Sequence, residues 1–278
     1  MSSFFLSGCG FVYEASLKAP EEPEYQQIIT TRAHTFRYRR DEPGKPHLVY
    51  IHGKLGSTND IVKSPLLDAL KEDFSLFTYD RPGSGHSLTR KGWWSWSPED
   101  FANHLHELLE REGITNPVFL AHSWGGAIAL NYALQYPGEV RGMVLLAPAA
   151  YPWPGYFSTS VYEWFVSSYL LSDLFLQTVF VPLGKLFGPI AARAVFNPTE
   201  VPKDFLENVF PLALQPTAYQ KAARDTVELR DELKKQAPRY HEIQTPTIVL
   251  SNDDDKVVPA RIHGGPLVEA LPHGEIRY

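Results

Sequence analysis

Residues 118–130, VFLAHSWGGAIAL, read as a strand that runs straight into a helix with a serine at the corner. A chain that ends a strand and starts a helix at one residue forces that residue to a positive φ. Neighbours two places to either side must then be small, because larger side chains would meet the facing backbone. Ala121 and Gly125 occupy those places, and Gly126 adds room. The usual pattern is Gly-x-Ser-x-Gly, from which Ala121 departs by one methyl group. Such a corner places the Ser123 hydroxyl at the carboxyl edge of a sheet and at the N-terminus of the next helix, where the dipole and free N–H groups favour developing negative charge.

Outward from this corner, strand and helix signals alternate. EYQQIITTRAHTFRYRRDEP carries two alternating segments around Arg32-Ala33 and predicts an antiparallel hairpin. HLVYIHG (47–53), FSLFTYD and RGMVLLAP are unbroken apolar runs of the kind buried on both faces of a parallel sheet. DIVKSPLLDALKE has helical spacing. SPEDFANHLHELLEREG opens on Ser97 as N-cap with Pro98 behind it and closes at Gly113. TPTIVLS, ARIHGGPLVEAL and GEIRY resume the alternation as strand, helix and an eighth strand.

Between residues 151 and 240 the strand signal vanishes. The segment is rich in Trp, Tyr, Phe, Leu and Pro, and VYEWFVSSYLLSDLFLQTVF and TAYQKAARDTVELRDELKKQ look helical. It is too long for an ordinary loop. The expected fold is therefore α/β, a doubly wound, mostly parallel sheet with a helical cap inserted after the sixth strand. Its division is an N-terminal arm over 1–24, a core over 25–150 and 241–278, and the cap over 151–240. Pro182 and Pro189 are expected to break the cap helices.

The net charge of -6 opposes non-specific nucleic-acid binding. A single cysteine excludes an internal disulfide and fits a reducing compartment, so a cytoplasmic location is expected. Leu6-Ser7-Gly8-Cys9 resembles a bacterial lipoprotein cleavage site, which would make Cys9 a lipid anchor at the cell envelope. No Lys or Arg precedes Cys9, and the apolar stretch is only Phe4-Phe5-Leu6. The alternative is a short apolar arm. Metal-ligand spacing, a Walker loop and a dinucleotide Gly-x-Gly-x-x-Gly loop are all missing from the sequence, so no cofactor is expected.

Four stretches in order, YIHGKLGS, YDRPGSGHS, AHSWGG and SNDDDKVVP, resemble the α/β-hydrolase superfamily from about residue 25 onward. The resemblance implies that Ser123 attacks an acyl carbonyl. It implies an oxyanion hole built from the backbone N–H groups of Trp124 and Lys54. It implies Asp255 as the acid of the triad, with Asp253 and Asp254 as rivals. The triad order is Ser, acid, His, with the His on the loop after the eighth strand; here GEIRY ends the sequence. His263, early in the helix after the seventh strand, is a minor candidate. His52 reads as orienting the oxyanion loop, His122 as packed beneath the corner, and His104 and His106 as surface residues.

The expectation is a serine hydrolase for a small or medium hydrophobic acyl substrate, truncated before its base. The alternatives are a binding module without the base and a C–C bond hydrolase. Trp153, Tyr156 and Trp164 are the candidate substrate-binding residues, and Trp93, Trp94 and Trp96 a possible rim. No oligomeric state follows from the sequence.

Overall fold

A computed structural model describes residues 17–89, 96–153, 175–196 and 199–278. Candidates Tyr156, Trp164, Cys9, Trp93 and Trp94 lie outside the described residues, as does most of the first predicted cap helix.

Among the described residues nine strands form one sheet in the order β1-β2-β4-β3-β6-β7-β8-β9, with β5 pairing β2 at the side. The strands are β1 (Tyr25–Ile29), β2 (Ala33–Arg40), β3 (His47–Ile51), β4 (Ser75–Tyr79), β5 (Leu88–Thr89), β6 (Val118–His122), β7 (Gly142–Leu146), β8 (Thr247–Leu250) and β9 (Gly274–Arg277). β1 and β2 make the predicted hairpin, and β2 meets β4 antiparallel. Pairings from β4 through β9 are parallel. The two-residue β5 lacks a run long enough to be read as a strand, so the helical segment follows the seventh strand rather than the sixth.

The apolar runs are continuous because both faces are covered. On one face α3 (Pro98–Glu112) and α4 (Trp124–Gln135) bury Phe101, Leu105, Leu108 and Ile128 against Val49, Phe77 and Phe119. On the other, Tyr25, Phe36, Tyr38, Tyr50 and Leu120 pack with Ile61. α3 starts with a reciprocal cap: Ser97 Oγ accepts the Asp100 N–H and the Asp100 carboxylate accepts the Ser97 N–H, both at 3.1 Å.

Some local expectations change. The single helix expected near residues 60–72 is two short ones, α1 (Asn59–Val62) and α2 (Leu66–Leu70), split at Ser64-Pro65. Conversely, α5 (Val181–Phe196) runs through Pro182 and Pro189 without ending. Pro182 follows directly on a turn of π-helix, Leu176–Phe180, so it lies inside one continuous helical run rather than at a free end. Around Pro189, close packing holds the helix together: a Cβ on Gly188 would come within 1.9 Å of the Phe210 ring. Trp96 is buried in the core, not at a rim, and His104 is buried, not on the surface. His104 accepts or donates to Thr35 Oγ1 at 2.9 Å and edges onto the Trp96 ring.

After the two short segments ending at α6 (Phe210–Ala213), α7 (Pro216–Gln236) lies on the core through Leu229 and Leu233. It brings a buried ion pair, Lys221–Asp225, whose carboxylate also accepts the Trp96 N–H at 3.2 Å. The Lys221 ammonium lies over the Phe101 ring at 5.0 Å. A turn of 3-10 helix after α7 carries Tyr240, whose hydroxyl donates to the Ala150 carbonyl at 2.7 Å.

Two stability predictions follow from these buried groups. Asp225→Ala leaves the buried Lys221 ammonium without its counter-charge, and urea unfolding at pH 7 should register a loss of about 3–5 kcal/mol. Burial also pulls the His104 pKa down to about 3. The unfolded chain therefore binds a proton that the folded one refuses, and stability is lost as pH falls from 6.5 toward 3. His104→Gln should flatten the stability–pH curve over that window by about 1.4 kcal/mol per pH unit relative to wild type. Parallel curves for the two proteins would contradict a neutral buried imidazole.

Candidate active site

Ser123 stands between the last residue of β6 and the first of α4 with φ 51° and ψ −116°. Its N–H donates to the Leu146 carbonyl on β7, and its carbonyl accepts from the N–H groups of Gly126 and Ala149, all at 2.9 Å. The half-buried side chain is at the carboxyl edge of the sheet. Ala121 is fully buried and pairs with Ile51, so its extra methyl is accommodated.

Gly125 shows why this corner needs glycine: a Cβ there would lie 2.2 Å from the Ile51 carbonyl oxygen. The end of β3 thus rests on the first turn of α4. A Cβ on Gly53 would lie 3.2 Å from Ser123 Cβ and 3.1 Å from His122 Nδ1, so the loop after β3 passes directly beside the serine. Lys54 follows on that loop, while the Trp124 N–H heads α4, where no intrahelical acceptor is available. Leu55, Ser123 and Ala147 all have positive φ, and all three lie just beyond strands β3, β6 and β7. Backbone strain is therefore concentrated at this edge.

His52 is fully buried and orients the loop. Its Nε2 accepts the Arg81 N–H at 2.9 Å, which assigns the proton to Nδ1, 2.9 Å from the Gly53 carbonyl. Burial and the nearby Arg81 charge hold the imidazole well below its usual pKa. Arg81 donates to the same Gly53 carbonyl at 2.8 Å, and its guanidinium lies 4.8 Å from the ring centres of both Phe101 and Trp124. The Asp80 carboxylate, also buried, accepts N–H groups from Thr58 at 2.6 Å and His86 at 2.7 Å. Burial raises its pKa to about 6 despite those bonds.

Asp255 follows β8 on the same edge. Its Oδ1 accepts the N–H groups of Val257 at 2.7 Å and Val258 at 2.8 Å. It is half-buried, whereas Asp253 and Asp254 are exposed. Its negative charge acts on His122 and on His263, countering the burial that depresses both imidazoles, His263 to about 4.

All ten histidines are described, and none is hydrogen-bonded to Ser123 or Asp255. His263 is fully buried, and its Nδ1 accepts from the Ala150 N–H at 3.2 Å and the Tyr151 N–H at 3.1 Å. That nitrogen is occupied, and Nε2 is sealed in the protein without a partner. Trp153 packs edge-on against His263 at 4.4 Å and donates to the Val257 carbonyl at 2.9 Å. It ties the exit of β7 to the acid loop. His122 is not packed beneath the corner: it is exposed into a cavity on the α1 side. The strand pleat points its ring opposite to the Ala121 side chain, toward the face where Leu120 packs with Ile61 of α1.

The sequence reading assigned no part to Arg81, Lys221, Asp225, Tyr50 or Asp60. Lys221 and Asp225 have the i, i+4 spacing of an ordinary surface pair. Only the docking of α7 on Trp96 distinguishes them. Among the described residues no group of three His, Cys, Asp or Glu side chains is placed to hold a metal, and no helix is long and apolar enough to cross a membrane.

Similarity to known proteins agrees with this architecture. A probable 1-acylglycerol-3-phosphate O-acyltransferase of Oryza sativa is 32% identical over 135 residues, which is 47% of this chain and 30% of that protein. The chain thus spans less than a third of that relative. A putative carbamate hydrolase of Stutzerimonas stutzeri is 29% identical over 220 residues, covering 79% of this chain and 78% of its own length. The crystal structure of a hydrolase from Pseudomonas aeruginosa superimposes with a TM-score of 0.70 at 19% identity, over 92% of this chain and 90% of that one. The family model described as the α/β hydrolase fold matches residues 46–278, and on that span the chain belongs to the α/β hydrolases.

Proposed function

We propose that the chain is the body of a serine hydrolase that cleaves a small or medium hydrophobic ester, amide or related acyl substrate through an acyl-enzyme. The observation that carries this reading is the strained Ser123 corner, set beside the Gly53 loop and the head of α4. In the reaction Ser123 Oγ bonds to the acyl carbon and gives its proton to a base. The carbonyl oxygen becomes an oxyanion facing the N–H groups of Trp124 and Lys54, and the leaving group departs with the proton. Water then repeats the sequence on the acyl-enzyme. Asp255 serves to orient the base, and the segment between β7 and β8 serves as a cap over the site.

The base is the missing part. His52 spends both ring nitrogens on backbone groups, His263 spends Nδ1 on backbone amides while its Nε2 is sealed in the protein, and His122 projects away from the serine. We assign the base to a histidine on a loop following β9. The placement of β9 favours that assignment: it runs parallel to β8, and the Arg277 carbonyl accepts the Ser251 N–H at 3.0 Å. A loop leaving β9 therefore emerges beside the acid loop, at the edge that carries Ser123.

Chemical rescue tests the assignment. The 278-residue protein should label slowly at Ser123 with a p-nitrophenyl phosphonate, and added imidazole should accelerate labelling in a dose-dependent way. Ser123→Ala should not label at all. Rapid labelling that ignores imidazole would mean a base already lies within these residues. In a protein extended past β9 by the loop with its histidine, p-nitrophenyl ester hydrolysis should rise about a thousandfold or more over the 278-residue chain. Asp255→Asn should cost the extended protein roughly ten-thousand-fold in kcat. An unchanged kcat would move the acid to a neighbour.

A further inference from the structure

Next to the proposed catalytic corner lies a cavity of about 260 Å³ between α1 and the helical segment. It has room for several waters or one short polyol. One wall is apolar and comes from the helical segment: Phe196, Phe205 and Val209. The other wall belongs to the core and carries Tyr50, Asp60 and His122. The two walls are tied at the rim, where the Asn59 side-chain amide donates to the Asn208 carbonyl at 2.8 Å.

The three side chains of the core wall bring polar groups to the cavity. Among the described residues Asp60 accepts one hydrogen bond, from the Ser57 N–H at 3.1 Å to Oδ1; it lines the cavity, and its Oδ2 lies against Gly56, where a Cβ would come within 2.4 Å. Among the described residues the Tyr50 hydroxyl and the His122 ring nitrogens take no hydrogen-bond partner, although Tyr50 is close enough to Asp60 to feel its charge. Burial pushes the Asp60 carboxyl up to about 7 and pulls the His122 imidazole down, so both favour their neutral forms more than usual. Lys63 and Asp204 also line the cavity, so its charged groups are of both signs and give a free ion no net complement.

A ligand that matches this wall must offer donors and acceptors together and carry no charge. Hydroxyl groups do so. We propose that the cavity binds a hydroxyl-bearing part of the substrate, a diol or short polyol, through Tyr50, Asp60 and His122, with its hydrocarbon against Phe196 and Phe205. This deepens the hydrolase reading and rests on it for the bond that is cleaved, but the binding step can be measured without catalysis.

The test uses 3-butoxypropane-1,2-diol and its hydroxyl-free analogue 1-butoxypropane, titrated into the full chain. Binding is followed by the ring 1H–13C resonance of His122, assigned by its loss in His122→Gln. The wild type should hold the diol about tenfold more tightly than the analogue. Tyr50→Phe and Asp60→Asn should each reduce that preference to about threefold or less, and the second variant keeps an oxygen for the Ser57 N–H. Ser123→Ala should bind like the wild type, so a failure of Ser123 chemistry and a failure of this subsite give different results. Equal affinity for the two probes, a preference unchanged in Tyr50→Phe, or tighter binding of butylamine than of the diol would each overturn the proposal.

Discussion

The structure depends on one backbone conformation, the positive φ of Ser123. A non-glycine residue held in such a region costs about 1–3 kcal/mol, so the surroundings must enforce it. Three backbone hydrogen bonds do so, one to Leu146 and two from Gly126 and Ala149. They bind the corner to both the end of β7 and the first turn of α4. The contact of Gly125 with the Ile51 carbonyl fixes the remaining side. Because β3, β6 and β7 are parallel neighbours, their loops leave the sheet on one edge and converge there.

From that corner a chain of buried polar contacts extends outward. His52 and Arg81 both address the Gly53 carbonyl, so the loop beside Ser123 is held by two side chains. Arg81 lies against Trp124, the residue after the serine, and its charge is felt by Asp225 on α7. Asp225 in turn pairs with Lys221 and caps the Trp96 N–H. The helical segment is thereby coupled to the Gly53 loop by charge and stacking rather than by apolar packing alone. Removing a buried charge from such a series leaves its partner uncompensated. On the opposite side of the corner, Tyr50, Asp60 and His122 line a cavity, and among the described residues only Asp60 of the three accepts a hydrogen bond, from the Ser57 N–H.

Much of this was legible in the order of residues. Continuous apolar strands separated by capped helices demand a parallel sheet covered on both faces, because only then does every apolar side chain leave water. Small residues around Ser123 declared the corner, since sterics permit nothing larger there. The roles of His104, Trp96 and His122 were not legible. A histidine on an amphipathic helix and a tryptophan after a loop look alike in sequence whether they face solvent or a neighbouring element. Which face is covered depends on partners such as Thr35 and Asp225, 69 and 129 residues away in the chain. Pro189 failed as a helix breaker for the same reason, because packing against Phe210 outweighs a local preference.

By itself, then, the sequence determined the α/β alternation, the tight serine corner and the placement of a carboxylate after the penultimate strand. These follow from local sterics and from periodic burial, which act over a few residues. Only the tertiary structure decided which histidines are already engaged by backbone amides, which charges share the buried space around Arg81, and which polar side chains face a cavity unpaired. Those outcomes depend on atoms brought together from distant segments, and electrostatics and desolvation act on distance in space, which no local pattern encodes.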